Sequence, residues 1–247
     1  MLFAPGERPD VSAIAELSLA CQAFSISFDP VGGHVGVEVA AADDECADPA
    51  RWLELLANGL TFDLTGLEPG TSSSVPALRH SYGLPSDVEE LEGVTLRPGP
   101  HLAAGGPILP IVRSLAGLTA QLAALSGIKA IAWHPAGCWS VPRQFRSSVL
   151  YWTEGGPFPM FSLAALAPTP DGGILSEGLA LFTSQELRLG SDPEGGSAPD
   201  PKIALRLAHW LVEHGRLTET QVVTGPDGRA LRLTPSSDYH LVNAEQL

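Results

Sequence analysis

The sequence predicts an α+β fold in which helices pack on a mostly antiparallel sheet. Three observations carry that prediction. Alternating apolar stretches are joined by turn chemistry at residues 29–33, at Asp171-Gly172-Gly173 and at Gly225-Pro226-Asp227-Gly228, as in β-hairpins. Amphipathic helical stretches with their own start signals lie among them, as at Asp200-Pro201. Strands and helices also alternate without the regular rhythm of a parallel sheet. Two strand–helix groupings raise the question of two related sub-units, although no sequence period supports a duplication.

The chain has 247 residues, enough for a sizeable core without covalent staples. Its formal net charge of −14 is concentrated at the front, where residues 1–100 carry 16 Asp and Glu against 4 Arg. An acidic chain with no basic patch argues against nucleic acid and against anionic membrane surfaces as partners. No run approaches the roughly 18 to 20 apolar residues of a membrane span. Residues 1–12 lack the basic start and apolar run of a signal peptide, so a cytoplasmic location is expected. Cys21, Cys46 and Cys138 are odd in number and unrelated in spacing, which predicts free thiols and neither a disulfide framework nor a paired-cysteine zinc site.

In chain order, residues 1–20 read as an N-terminal extension, where Val11, Ile14, Leu17 and Leu19 could support one or two helical turns. Residues 21–92 form a small acidic α/β unit. Its stretches 24–28 and 35–39 alternate as a hairpin. Asp48-Pro49 then resembles a helix start, with Trp52, Leu55 and Leu56 as the apolar face and Gly59 as the stop, before a strand at 60–64. Residues 65–92 are rich in Gly, Pro and Ser and then acidic, which predicts a long connection.

Residues 93–247 form the main α+β domain, with or without the preceding unit packed into it. A strand at 93–97 leads to the segment that anchors the reading. Ile111, Leu115, Leu118, Leu122 and Leu125 are spaced three or four apart along one helical face, between Pro107 and Gly127. Residues 128–133 follow as a short buried strand, stopped by Pro135 and Gly137. A helix over 141–153 (Phe145, Val149, Trp152), a strand over 158–166, a helical turn at 178–182 and a strand at 186–189 come next. Residues 192–199 have a loop composition. A helix then starts at Asp200-Pro201, with Ile203, Leu207, Trp210 and Leu211 on its inner face and Gly215 as its stop. The hairpin of 221–224 and 230–233 follows it.

Several of these segments resemble the bacterial domain-of-unknown-function family numbered 4261. They are Ala132-Trp133-His134, the apolar stretch 159–166, Ser176-Glu177-Gly178-Leu179-Ala180-Leu181-Phe182 with Gln185-Glu186-Leu187, and the helix 205–215 with its Gly-Pro-Asp-Gly hairpin. The likeness spans about residues 93–235. Thr183 stands where the family usually has glycine. The resemblance implies a fold and a bacterial origin; it implies no activity.

Two sites are legible. His134 and Cys138, with His101 after the Pro98-Gly99-Pro100 turn, could serve as base and nucleophile of a hydrolase or as ligands of a zinc ion. The opposing expectation is a buried structural thiol among Trp133 and Trp139. A groove formed by Trp133, Trp139, Arg143, Arg146 and Trp152 could instead hold a protein or a small anionic ligand, unless its arginines simply face water. His209 and His214 are five apart and do not stack as ligands. Asp43-Asp44-Glu45 lacks a calcium-loop pattern, and no Walker lysine, dinucleotide fingerprint or serine-hydrolase elbow is present. No cofactor is expected. The sequence therefore favours a non-catalytic binding or interaction domain over a cysteine- or metal-dependent hydrolase.

Overall fold

The computed structural model describes residues 1–30, 52–84, 90–103, 108–190, 199–225 and 228–247. The fold is α+β: helices pack on three mostly antiparallel sheets. The chain opens with β1 (Leu2–Phe3) and α1 (Val11–Cys21). The Asp10 carboxylate caps α1 by accepting from the Ala13 amide, and Ile14 anchors it in the core. This is a full helix of 11 residues, longer than the spacing suggested. β1 lies inside a sheet, so residues 1–20 are bonded into the fold and do not trail from it.

β2 (Ser25–Phe28) pairs with β3 (Trp52–Ala57), and β3 with β4 (Leu60–Thr65). The helix expected after Asp48-Pro49 is corrected here: the described part, 52–57, is a strand. Leu53, Leu55 and Ala57 point inward while Trp52, Glu54 and Leu56 point outward, a period of two that overrides the helical reading. Asn58 and Gly59, both at positive φ (52° and 75°), make the tight hairpin turn. The expected strand 35–39 and the Asp48-Pro49 cap lie outside the described residues.

The connection 65–92 holds two short strands, β5 (His80–Tyr82) and β6 (Glu92–Gly93). Arg8 ties it down, donating to the Gly66 and Gly70 carbonyls and pairing with Glu68 and Glu92. β7 (Thr95–Pro98) and α2 (Pro100–Ala103) follow. α3 (Leu109–Leu122) starts with Pro110 in its first turn and ends earlier than Gly127, which instead turns the chain at φ 78° into β8 (Ile128–Trp133). Ile111, Leu118 and Leu122 are buried as their spacing predicts.

β9 (Cys138–Ser140) returns antiparallel along β8. Next come α4 (Pro142–Thr153) and α5 (Met160–Leu163), then β10 (Ala165–Pro168). The strand expected over 158–166 is thus a short helix and the start of a strand; its unbroken apolar run has no period to distinguish them. β11 (Ile174–Glu177), α6 (Ala180–Thr183) and β12 (Glu186–Leu189) agree with the predicted hairpin, helical turn and strand. α7 (Pro201–His214) is capped by Asp200 and closed at Gly215. β13 (Gln221–Thr224) and β14 (Ala230–Pro235) form the terminal hairpin, and β15 (Leu241–Gln246) slots between β14 and β12.

The five-stranded sheet runs β5-β9-β8-β1-β6, the four-stranded β2-β3-β4-β7 and the six-stranded β10-β11-β12-β15-β14-β13. One hydrophobic core, from Met1 to Ala244, draws on all three. The chain passes from the five-stranded to the four-stranded sheet at Val94, between β6 and β7, and this bend positions the candidate site.

Candidate functional site

The aromatic and thiol segment is a hairpin. His134-Pro135-Ala136 make a 3-10 turn after β8, and Gly137 closes it at φ 61°, its amide donating to the His134 carbonyl. Glycine is required there: a Cβ would approach Arg79 Cδ at 2.8 Å. Cross-strand pairing sets Trp133 beside Cys138 and Ala132 beside Trp139. The two indoles therefore lie on opposite faces of the sheet. Trp133 packs into the main core against Phe145 and Phe182, and Trp139 into a small cluster with Leu2 and Ala130. Both indole N–H groups are buried without an acceptor among the described residues.

The Cys138 thiol is fully buried and lies 3.5 Å from the Ala164 carbonyl oxygen, to which it donates. Burial pushes it up to about 12, with the Glu177 carboxylate adding to the effect and Arg79 opposing it. A thiol in that state is not a nucleophile at neutral pH. His134 is exposed on the turn, while His101 sits on α2 beside the Thr61 hydroxyl (3.2 Å). No group of three or more His, Cys, Asp or Glu able to hold a metal occurs among the described residues.

The proposed tryptophan–arginine groove is divided. Trp152 faces the core, edge-on to Phe158 and Phe182, while Arg143 and Arg146 are exposed on the outer side of the same helix. The cation over the Trp152 ring is Arg113, at 5.1 Å, which also donates to the Trp152 and Thr153 carbonyls.

Sequence reading missed two polar clusters. Glu177 accepts from Arg79 and meets His80 Nε2 at 2.9 Å, across 97 residues of chain, and the β5–β9 register sets His80 next to Cys138. Glu186 is engaged by the Ser176 hydroxyl and by the amides of Gly178, Leu179 and Ala180. Burial raises its carboxyl above the ordinary range, against the pull of those four donors. Gln185, fully buried, accepts from the Leu217 amide and donates to the Leu217 carbonyl. No local motif signals the Glu177 cluster, because its partners meet only through the sheet connections; the Glu186 cluster is local, within the run 176–187, but its residue types carry no chemistry that marks them.

The space available to a ligand is elsewhere on the same hairpin. A cleft of about 430 Å³ opens at the bend between the two sheets. It is lined by β7 and the two residues before it, by residues 132–135, by Leu115 and Thr119 of α3, by Met1 and Leu2, and by Ser74 and Pro76. Arg97 and His134 line it, and no Asp or Glu does among the described residues. Of the predicted hydrolase residues this cleft takes His134, and of the predicted groove residues Trp133. Compared with family models, curated proteins and solved structures, the chain gives no significant match to any.

Proposed function

We propose that this chain is a non-catalytic binding module whose site is the cleft between β7 and the β8–β9 turn. The observation that carries the reading is convergence. Five segments distant in sequence meet around a concave space within the roughly 300 to 1,000 Å³ range of ligand pockets. Arg97 and His134, set in a lining free of carboxylates, favour an anionic group on the protein or small ligand that binds. A cysteine hydrolase has less support, since its nucleophile would be a buried thiol pushed up to about 12.

Kinship with family 4261 and a bacterial, cytoplasmic origin belong to the same proposal. Its support is the sequence likeness of the segments named above over about residues 93–235 and, for the compartment, the free thiols of Cys21 and Cys138. No helix among the described residues is long and apolar enough to cross a membrane. The acidic balance speaks against nucleic acid.

Ligand-observed NMR with a fragment set, run on the wild type and on Ser74→Trp, tests the site. Ser74 is exposed at the cleft rim, so an indole there obstructs the opening without entering the core. Fragments should bind the wild type and lose binding in the variant. Equal binding to both proteins, or none to either, overturns the proposal.

A further inference from the structure

We infer that the outer face of α4, together with Phe161 of α5, is a second docking surface, built for an acidic segment of another protein that carries apolar side chains beside its carboxylates. The first observation is how charge is distributed along the chain. All 28 Asp and Glu lie outside residues 93–153, a stretch that carries four Arg and one Lys, or +5, in a chain of −14. Three of those five cations are engaged within the fold. Lys129 pairs with Glu7, Arg113 donates to the Trp152 and Thr153 carbonyls, and Arg97 is coupled to the cross-strand Asp63. Arg143 and Arg146 remain: both are exposed on α4, and neither has an ion pair among the described residues.

The second observation is what stands beside them. Phe145, Val149 and Trp152 turn inward and set the opposite side of α4 toward solvent. Arg143, Ser147 and Tyr151, four apart, run along that side, with Arg146 one turn from Arg143. Tyr151 is 61% exposed, and its ring rests on Gly156, where a Cβ would come within 2.6 Å of it. Across the seam to α5, the Ser148 and Ser162 hydroxyls are hydrogen-bonded at 3.0 Å, and Phe161, next to Ser162, is 42% exposed with its ring 5.1 Å from that of Tyr82. The face thus has two free guanidinium groups at one end and supported aromatic rings at the other, about 12 Å along the helix. Arginine and aromatic side chains are the anchors that protein interfaces favour.

Charge decides the occupant. Guanidinium forks take carboxylates bidentately. A nucleic-acid backbone needs a longer basic track than two cations. Anionic bilayers recruit clusters of about four to eight, and would hold a wide negative plane against a chain that is −14 overall. An acidic protein segment needs only a local match, because charges elsewhere on the chain are screened beyond about 8 Å at physiological salt. This surface is separate from the cleft, whose lining includes no residue of α4 or α5.

The test is fluorescence anisotropy with a labelled, end-blocked peptide of three glutamates, a serine, a leucine and a phenylalanine, beside a counterpart with glutamine for glutamate. The glutamate peptide should bind, and the glutamine one at least about fivefold more weakly. Arg143→Glu and Arg146→Glu should each weaken the glutamate peptide at least about threefold, and Tyr151→Ser about threefold. Arg206→Glu, the same charge change on an exposed arginine of α7, should leave it within about 1.5-fold. No binding up to about 1 mM, equal binding of the glutamine peptide, or equal weakening by Arg206→Glu overturns the inference. Peptide binding lost in Ser74→Trp would place the peptide in the cleft and overturn it as well. Tighter attachment to phosphatidylserine vesicles, lost in Arg143→Glu, would give the face to a membrane, and self-association lost in the same variant would give it to a second copy; either result overturns it.

Discussion

Around α6 the buried polar side chains are partnered, with Glu186 held by four donors, Gln185 by both backbone groups of Leu217, and Thr183 by the Leu179 and Gln185 carbonyls. On the other side of the β8–β9 turn, Arg97 and His134 line open space, Arg97 coupled only at long range to the cross-strand Asp63, and β7 is the outer strand of its sheet. The contrast separates architecture from site. A satisfied buried network specifies the fold, and its groups have no bonding capacity left for a ligand. Unspent donors beside a concavity do.

Breaking the closed region should have the largest effect. Glu186→Gln turns an amide nitrogen toward one or more of the Gly178, Leu179 and Ala180 amides, which only donate, and should lower the unfolding free energy by about 3 kcal/mol. Urea denaturation checks it as a fall in midpoint at unchanged slope; a change below about 0.5 kcal/mol would mean the four donors are satisfied elsewhere.

A smaller effect comes from the thiol between the two regions. Cys138→Ala should cost about 1 to 2 kcal/mol by leaving a small cavity. It should also flatten the alkaline limb of stability. The sign follows from the shift: the folded thiol sits near 12 against 9.0 ordinarily, so its contribution is whole below pH 9 and is lost as pH rises toward 12. At neutral pH iodoacetamide should label half-buried Cys21 well before Cys138, read by peptide mass mapping. Fast labelling of Cys138 in the folded protein would reopen the hydrolase reading.

The open region should be the most tolerant. Arg97→Ala and His134→Ala should each leave stability within about 0.5 kcal/mol, because both side chains are exposed and the one charged neighbour at stake, Asp63 across the strand from Arg97, acts through solvent. Thermal melts of the two variants against wild type are sufficient to check this.

Segments whose period was unambiguous were legible in the sequence. α3, β8 and α7 could be read because their inward residues recur at one spacing and glycine or proline marks their limits. At 52–57 two periods competed, with Trp52, Leu55 and Leu56 fitting a helix and Leu53, Leu55 and Ala57 a strand. The Asn58-Gly59 dipeptide was the signal that should have decided between them. β9 has three residues, and the six of β15 include Asn, Glu and Gln, so both gain their strand character from neighbours and carry little local signature. The site was half-legible: the segment 133–139 was identified, but its residues were assigned to one cluster when the pleat sends them to opposite faces. Arg97 went unnoticed because a lone exposed arginine on a strand has no motif.

The turn that forms one cleft wall is clamped from behind. A Cβ on Gly178 would come within 2.7 Å of the Ala136 methyl, and one on Gly137 within 2.8 Å of the Arg79 side chain. With Ala136 buried against the backbone of Gly178, that part of the cleft is packed in place before anything arrives. Association then costs the conformational entropy of the incoming ligand and little from the receptor. Loosening the clamp should therefore show first as faster dissociation, with the contacts themselves unchanged.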